Sequence, residues 1–283
     1  MRKLNMNVPK IAEIEITNEC NLNCVFCPRE KLFNIGAMDY LLCQKIISRL
    51  SSDKYEGIYL CGLGEPLLHG HLMEIIKYAK RKGLRVGIST NGLLMDSKIR
   101  EQFIDSRVDR VDINFPSLKR EIYEKMCLGS RFNQVKRNID SLLDAKSNIQ
   151  VRINIVVTNL NLKEESKIIQ YWSSRKALVN LVPFADRGKP ANHFSSLRPK
   201  SSVNKRIFGY FCSANPVFCC SFLFDNYAFI GWDGYEYACP VDLNKRFKGK
   251  FFLSPLDALR YKEKRKLRFW KTKLCRDCRK MAA

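Results

Sequence analysis

Cys20-Asn21-Leu22-Asn23-Cys24-Val25-Phe26-Cys27-Pro28 sets three thiols at the spacing C-x3-C-x2-C. The residues before it, 11–17, alternate apolar and polar side chains, the period of a half-buried strand. The thiols therefore sit on a loop where a strand ends. Three thiolates this close together grip a metal centre from one side and leave a coordination position with no local ligand. Structural sites are closed, whereas chemistry at a metal needs an open position. Thiolates suit both zinc and iron–sulfur clusters, so the spacing alone also admits a structural zinc loop that borrows a distant fourth ligand.

Downstream, strand-like and helix-like stretches alternate. Leu42, Ile46 and Leu50 form one face of a helix, and residues 57–61 read as a short apolar strand. Leu72, Ile75, Ile76 and Ala79 mark a second helix that Lys82-Gly83 ends. Residues 85–89, 108–114, 151–158 and 179–183 read as further strands. Residues 97–104, the face of Val135, Ile139 and Leu142, and residues 164–172 supply the helices between them. Six alternations imply right-handed crossovers and a parallel sheet. The expected class is α/β: a partial (β/α)6 TIM-like barrel, short of the eight units of a closed one. The cysteine loop, Gly62-Leu63-Gly64-Glu65-Pro66 and Asn91 all follow strands, so they meet at the C-terminal rim, where barrel active sites lie.

Beyond Pro183 the pattern changes. Residues 191–205 read as a linker between a core over 1–190 and a small Cys-rich extension over 206–283, expected as a β-hairpin plus a helix. Asp233-Gly234 is the turn signal of that hairpin, and a charged helix is expected around 256–270. The extension carries Cys212, Cys219, Cys220, Cys239, Cys275 and Cys278.

The 283 residues, 46% apolar and 11% aromatic, are enough for one large core plus a small appendage. No signal peptide and no membrane-spanning apolar run is legible. Twelve cysteines in paired spacings then point to metal binding in a reducing cytoplasm rather than to a disulfide scaffold. The net charge of +22 favours anionic partners such as phosphorylated substrates, acidic peptides or nucleic acid. It leaves the reaction open, and a solvated basic helix face over 261–273 is favoured over a nucleic-acid site. His69, His71 and His193 show no metal spacing, and His69 reads as structural.

Three motifs in order resemble the radical S-adenosylmethionine enzymes: C-x3-C-x2-C after a first strand, Gly62-Leu63-Gly64-Glu65-Pro66 for the family's G-G-E-P, and Ser89-Thr90-Asn91-Gly92. Leu63 interrupts the glycine pair. The resemblance covers roughly residues 8–190 and agrees with the partial barrel. It implies that Cys20, Cys24 and Cys27 hold a [4Fe–4S] cluster whose open iron takes the methionyl amine and carboxylate of S-adenosylmethionine. Phe26 stands where the family has an aromatic residue beside the adenine. Gly62 and Gly64 let backbone approach a ligand closely. Glu65, followed by Pro66, offers a carboxylate to the methionyl ammonium. Asn91, Asn114, Arg152 and Asn154, near strand ends, are the polar residues expected to hold the ribose hydroxyls and the carboxylate.

The extension resembles the short "twitch" relative of the SPASM domain, which holds one auxiliary [4Fe–4S] cluster. Its ligands here are Cys220, with Cys219 as the alternative, then Cys239, Cys275 and Cys278. Four thiolates leave no open iron, which fits electron transfer better than substrate ligation; a zinc knuckle is the structural alternative. Of the remaining thiols, Cys43 reads as a buried helix residue, and Cys61, Cys212 and Cys219 are candidate hydrogen donors near a substrate. The resemblance implies a cytoplasmic enzyme that takes hydrogen from an unactivated carbon, with an electron donor such as flavodoxin or ferredoxin. Oxidation or epimerisation of a small carbohydrate-like substrate is favoured, because the first strand begins by Ile11 and leaves no room for a peptide-recognition domain. A peptide maturase and a non-enzymatic, metal-stabilised nucleic-acid-binding protein are the alternatives.

Overall fold

A computed structural model describes residues 9–32, 34–184, 196–200, 202–203, 206–207, 227–237 and 248–250. β1 (Ile11–Ile14) leads into β2 (Asn23–Cys24), α1 (Tyr40–Ser52), β3 (Gly57–Leu60), α2 (Leu72–Arg81) and β4 (Arg85–Thr90). α3 (Ser97–Asp105), β5 (Arg110–Asn114), α4 (Arg120–Met126), β6 (Cys127–Leu128) and α5 (Phe132–Asp144) follow. β7 (Gln150–Val156), α6 (Glu165–Ser174), β8 (Leu178–Val182), β9 (Tyr227–Ile230), β10 (Tyr235–Tyr237) and β11 (Lys248–Lys250) complete the described elements. Capping sets two of the helix starts: Asp39 accepts from Leu42 N and Asp96 from Ile99 N.

One sheet runs in the order β11-β10-β9-β1-β3-β4-β5-β7-β8. Six of its strands, β1, β3, β4, β5, β7 and β8, are neighbours in chain order and pair in parallel. The α/β partial barrel expected from the alternation is therefore present. Side chains alternate across the sheet. Ala12, Ile14, Leu60, Val86, Ile88, Val111, Ile113 and Ile153 face the helices, where they join Ile46, Ile75, Phe103, Ile139 and Trp172 in the main core.

The opposite, inward-facing set is polar. Asp112, fully buried, accepts from Tyr59 Oη and from Arg152 Nε at 2.9 Å, and pairs with Arg110 Nε at 3.0 Å. The two guanidiniums supply the countercharges that a carboxylate without solvent requires. Arg152 thus has its partner inside the barrel, two register steps below the Asn114–Asn154 pair.

The hairpin signalled by Asp233-Gly234 forms, with β9 and β10 antiparallel, and Gly234 takes φ +76°. What local sequence could not show is that β9 also pairs in parallel with β1, from Ile11↔Tyr227 to Ile14↔Ile230. The sheet thus continues from the barrel into the hairpin, and Tyr227 Oη donates to Glu13 Oε2 at 2.5 Å. Glu13 and Glu15 lie inside; Glu15 is buried. Cys212, Cys219, Cys220, Cys239, Cys275, Cys278, His193, most of the linker and the helix around 256–270 lie outside the described residues.

Candidate active site

The cysteine loop is fixed from three sides. Its return segment bridges back to the end of the first strand. Asn18 N donates to Gly36 O at 3.1 Å, Gly36 N donates to Asn18 Oδ1 at 2.7 Å, and Thr17 pairs with Ala37. β2 pairs antiparallel with β6. Asn91 Nδ2 donates to Asn21 Oδ1 at 2.7 Å, which ties the loop to the end of β4. Cys20, Cys24 and Cys27 are part-exposed, and no disulfide joins them. Burial raises the Cys20 thiol to about 11, and the neighbouring Cys127 thiol, together with burial, pushes Cys24 well above its ordinary value. Without a metal these groups stay protonated, so binding one releases protons.

Gly62-Leu63-Gly64-Glu65-Pro66 lies against the segment that leads into Cys20. Leu63 N donates to Glu15 Oε1 at 2.9 Å and Glu65 N to Glu19 O at 2.7 Å. A Cβ on Gly64 would lie 2.3 Å from Thr17 O and 2.6 Å from Glu19 O. The sequence offered these glycines a ligand to approach; the structure sets Gly64 against the backbone of residues 17–19 and Gly62 against the side chain of Glu15. Gly62, at φ +144°, is in a region L side chains rarely adopt.

Glu65 caps the short turn that begins at Pro66. Its Oε1 accepts from Thr90 Oγ1 at 2.7 Å and Leu67 N at 3.2 Å, and its Oε2 from Asn91 N at 2.7 Å. The carboxylate proposed for the methionyl ammonium thus also braces the Ser-Thr-Asn-Gly segment. Burial lifts the carboxyl to about 7, against the pull of the bonds from Asn91, Thr90 and Leu67. A folded pKa above the ordinary value means that this contribution is fully present below the unfolded pKa near 4.5 and is lost as pH rises through 7. The loss amounts to roughly 3 kcal/mol. Glu65→Gln, uncharged throughout, lacks this slope. Thermal melts of the cofactor-free chain from about pH 5 to about pH 8 should show the melting temperature of the Gln variant gaining on the parent as pH rises. A constant difference would contradict the assigned burial.

Around the rim, Asn114 pairs in register with Asn154, and Asn154 with Asn180; Asn91 follows Thr90, which is opposite Ile113. Four asparagines thus stand at one level on four consecutive strands. Asn180 Nδ2 donates to Asn154 Oδ1 at 2.8 Å. Asn180 escaped the sequence reading because only sheet register aligns it with the others. Phe26 packs against the Phe184–Leu197 pair, as does Val156, on the side of the mouth where β7 and β8 end. Cys61 is buried on β3's continuation, and burial, then the Glu13 carboxylate beside it, hold its thiol well above the ordinary value. Cys43 is buried in α1, and His69 Nε2 bonds with Met38 O at 2.8 Å, a structural role.

The donor set fits an iron–sulfur cluster: soft thiolates on a braced loop, beside a buried carboxylate and a ring of amides. Among the described residues no three His, Cys, Asp or Glu converge as the ligands of a single metal ion. A cluster meets each thiolate at a different iron and asks for wider spacing. No helix among the described residues is long and apolar enough to cross a membrane.

Comparison with known proteins places the chain in a family. The family model of the Radical SAM superfamily matches residues 14–171. A probable GTP 3′,8-cyclase of Methanocaldococcus jannaschii is 29% identical over 177 residues, 60% of this chain and 57% of that protein, so the chain spans a little over half its length. The crystal structure of Streptococcus suis SuiB bound to precursor peptide SuiA is similar in fold, with a TM-score of 0.69 at 14% identity over 89% of this chain and 65% of that one. Native anSMEcpe with bound AdoMet gives 0.65 at 17% identity, over 95% of this chain and 82% of that one.

Proposed function

The chain belongs to the radical SAM superfamily, whose members bind a [4Fe–4S] cluster and S-adenosylmethionine, and from that premise we propose that it takes a hydrogen atom from an unactivated carbon of a small polar substrate. Bound together, cluster and cofactor supply one-electron cleavage of the sulfonium to methionine and a 5′-deoxyadenosyl radical. The rest falls to the chain's own residues. Cys20, Cys24 and Cys27 hold the cluster on a loop whose backbone is pinned to Gly36, Met126 and Glu65. Residues 62–65 and the asparagines at 91, 114, 154 and 180 line the rim, within reach of the methionyl and ribose groups. Phe26 covers the β7–β8 side and excludes water there. The polar layer around Asp112 closes the barrel beneath.

The observation that carries this reading is the bracing of the three-cysteine loop onto the Gly62–Glu65 loop through Glu19 and onto Asn91 through Asn21. A carbohydrate-like substrate is favoured, with oxidation ahead of epimerisation. Cys220, Cys239, Cys275 and Cys278 support the oxidative outcome as proposed ligands of an auxiliary cluster, in the proposed extension over 206–283. Cys61, protonated in the barrel, supports a returned hydrogen atom instead; Cys212 and Cys219 are the other candidates. The GTP 3′,8-cyclase relative adds a ribose-bearing nucleotide to the substrates to be tried, and the likeness to peptide-bound SuiB keeps a peptide as the second reading. A flavodoxin or ferredoxin is the proposed electron donor.

The test is anoxic reconstitution followed by turnover of candidate substrates in heavy water. Oxidation yields a product about two mass units lighter with no deuterium on carbon. Deuterium on carbon without mass loss, abolished by Cys61→Ala or by alanine at Cys212 or Cys219, would establish epimerisation in its place.

A further inference from the structure

A fourth thiol lies against the cluster loop. β2 and β6 place Cys24 opposite Cys127 in an antiparallel pair. The next pair along, Val25 and Met126, carries the ladder bond, Val25 N to Met126 O at 2.9 Å. Cys24 and Cys127 are therefore the non-hydrogen-bonded pair, whose Cα atoms lie about 4.5 Å apart with side chains on one face. The two thiols are within hydrogen-bonding reach and form no disulfide.

Cys127 is held in place. It is buried, it ends α4, and its carbonyl accepts from Ser130 N at 3.0 Å. Gly129, at φ +88°, turns the chain so that this segment follows the loop; a Cβ there would lie 3.6 Å from Asn21 O. Filling space would require only a small apolar side chain. A thiol adds one weak donor, within reach of the sulfur of Cys24.

We propose that Cys127 is a positioning residue for Cys24, its S–H donating to the ligand sulfur and making the cluster easier to reduce. The proposal rests on Cys20, Cys24 and Cys27 being the cluster ligands. A donor to a ligand sulfur withdraws negative charge, and the reduced cluster, which carries one more electron, gains the more from it. The potential of this centre is thereby set higher than the three ligands alone would give.

Two measurements test this without turnover. In the cluster-free chain, diamide takes two electrons and two protons from a thiol pair and becomes the hydrazine, leaving an S–S bond. Peptide mapping should find Cys24 joined to Cys127 in preference to Cys20 or Cys27, since the Cα separation lies in the disulfide range. Pairing only among the three loop cysteines would overturn the juxtaposition. In the reconstituted chain, potentiometry followed by electron paramagnetic resonance on the signal that responds to S-adenosylmethionine should place Cys127→Ala at a more negative midpoint than the parent. Cys127→Ser, which keeps a donor, should recover part of the shift. Midpoints equal in all three would overturn the role. If Cys20, Cys24 and Cys27 are not the ligands, the responsive signal survives their joint replacement by alanine, an outcome separate from either failure above.

Discussion

Replacing Cys20, Cys24 and Cys27 together by alanine abolishes 5′-deoxyadenosine formation, while iron bound elsewhere in the chain stays. Alanine offers no donor, and among the described residues no other thiol stands at the loop's tip; Cys127 is buried behind Cys24. The fold should survive, because the loop is pinned mainly through backbone: Asn18 N to Gly36 O, Val25 N to Met126 O and Glu65 N to Glu19 O. The loss then reads as lost chemistry rather than unfolding. Circular dichroism on the triple variant gives the control, and product chromatography with iron analysis gives the result. Cofactor cleavage by the triple variant at the parent's rate would remove the site.

Gly64→Ala should be nearly as damaging, by another route. The new methyl group would meet Thr17 O at 2.3 Å, Glu19 O at 2.6 Å and Asn18 Cα at 2.7 Å, all backbone. No side chain can rotate aside, and Asn18 is itself anchored through Nδ2 to Asn34 O and through Oδ1 to Gly36 N. Relief requires moving residues 62–65 away from the cysteine loop, which breaks Glu65 N to Glu19 O and loosens Glu65 from Thr90 and Asn91. Overpacking costs roughly 1–3 kcal/mol or more, and each 1.4 kcal/mol that falls on the bound state is about tenfold in affinity. S-adenosylmethionine binding by calorimetry should weaken by about tenfold or more in Gly64→Ala. It should be unchanged in Gly70→Ala, where nothing lies within 4 Å of the added carbon. Equal binding in the two variants would mean that the approach of these loops has no part in holding the cofactor.

Wherever a segment's own pattern sufficed, the fold was legible. β-branched and alternating runs marked the six barrel strands, and apolar side chains three and four apart marked their helices, because burial on one face imposes those periods. Strand ends shifted by a few residues where the backbone leaves the sheet for the rim. Pairing across distance was not legible. Nothing near Tyr227 announces Ile11 as its partner, and the two-residue pair of β2 with β6 is too short to leave a period. The same division runs through the site. Cys20, Cys24, Cys27 and the Gly62–Pro66 loop declare themselves by spacing. Glu65's hold on Thr90 and Asn91, the place of Asn180 beside Asn154 and that of Cys127 behind Cys24 all arise from sheet register, which spacing does not encode. Arg152 was visible as a polar residue on a strand, but its pairing with Asp112 depends on the neighbouring strand.

On the proposed function, the three-thiol loop carries a cluster with one iron open to S-adenosylmethionine. Electron paramagnetic resonance of the anoxically reconstituted, reduced chain tests it most directly, with and without the cofactor. Adding S-adenosylmethionine should change the signal of one cluster, and the Cys20, Cys24 and Cys27 triple variant should lack that signal. A spectrum indifferent to the cofactor, in a parent chain that holds its full iron and sulfide, would contradict it.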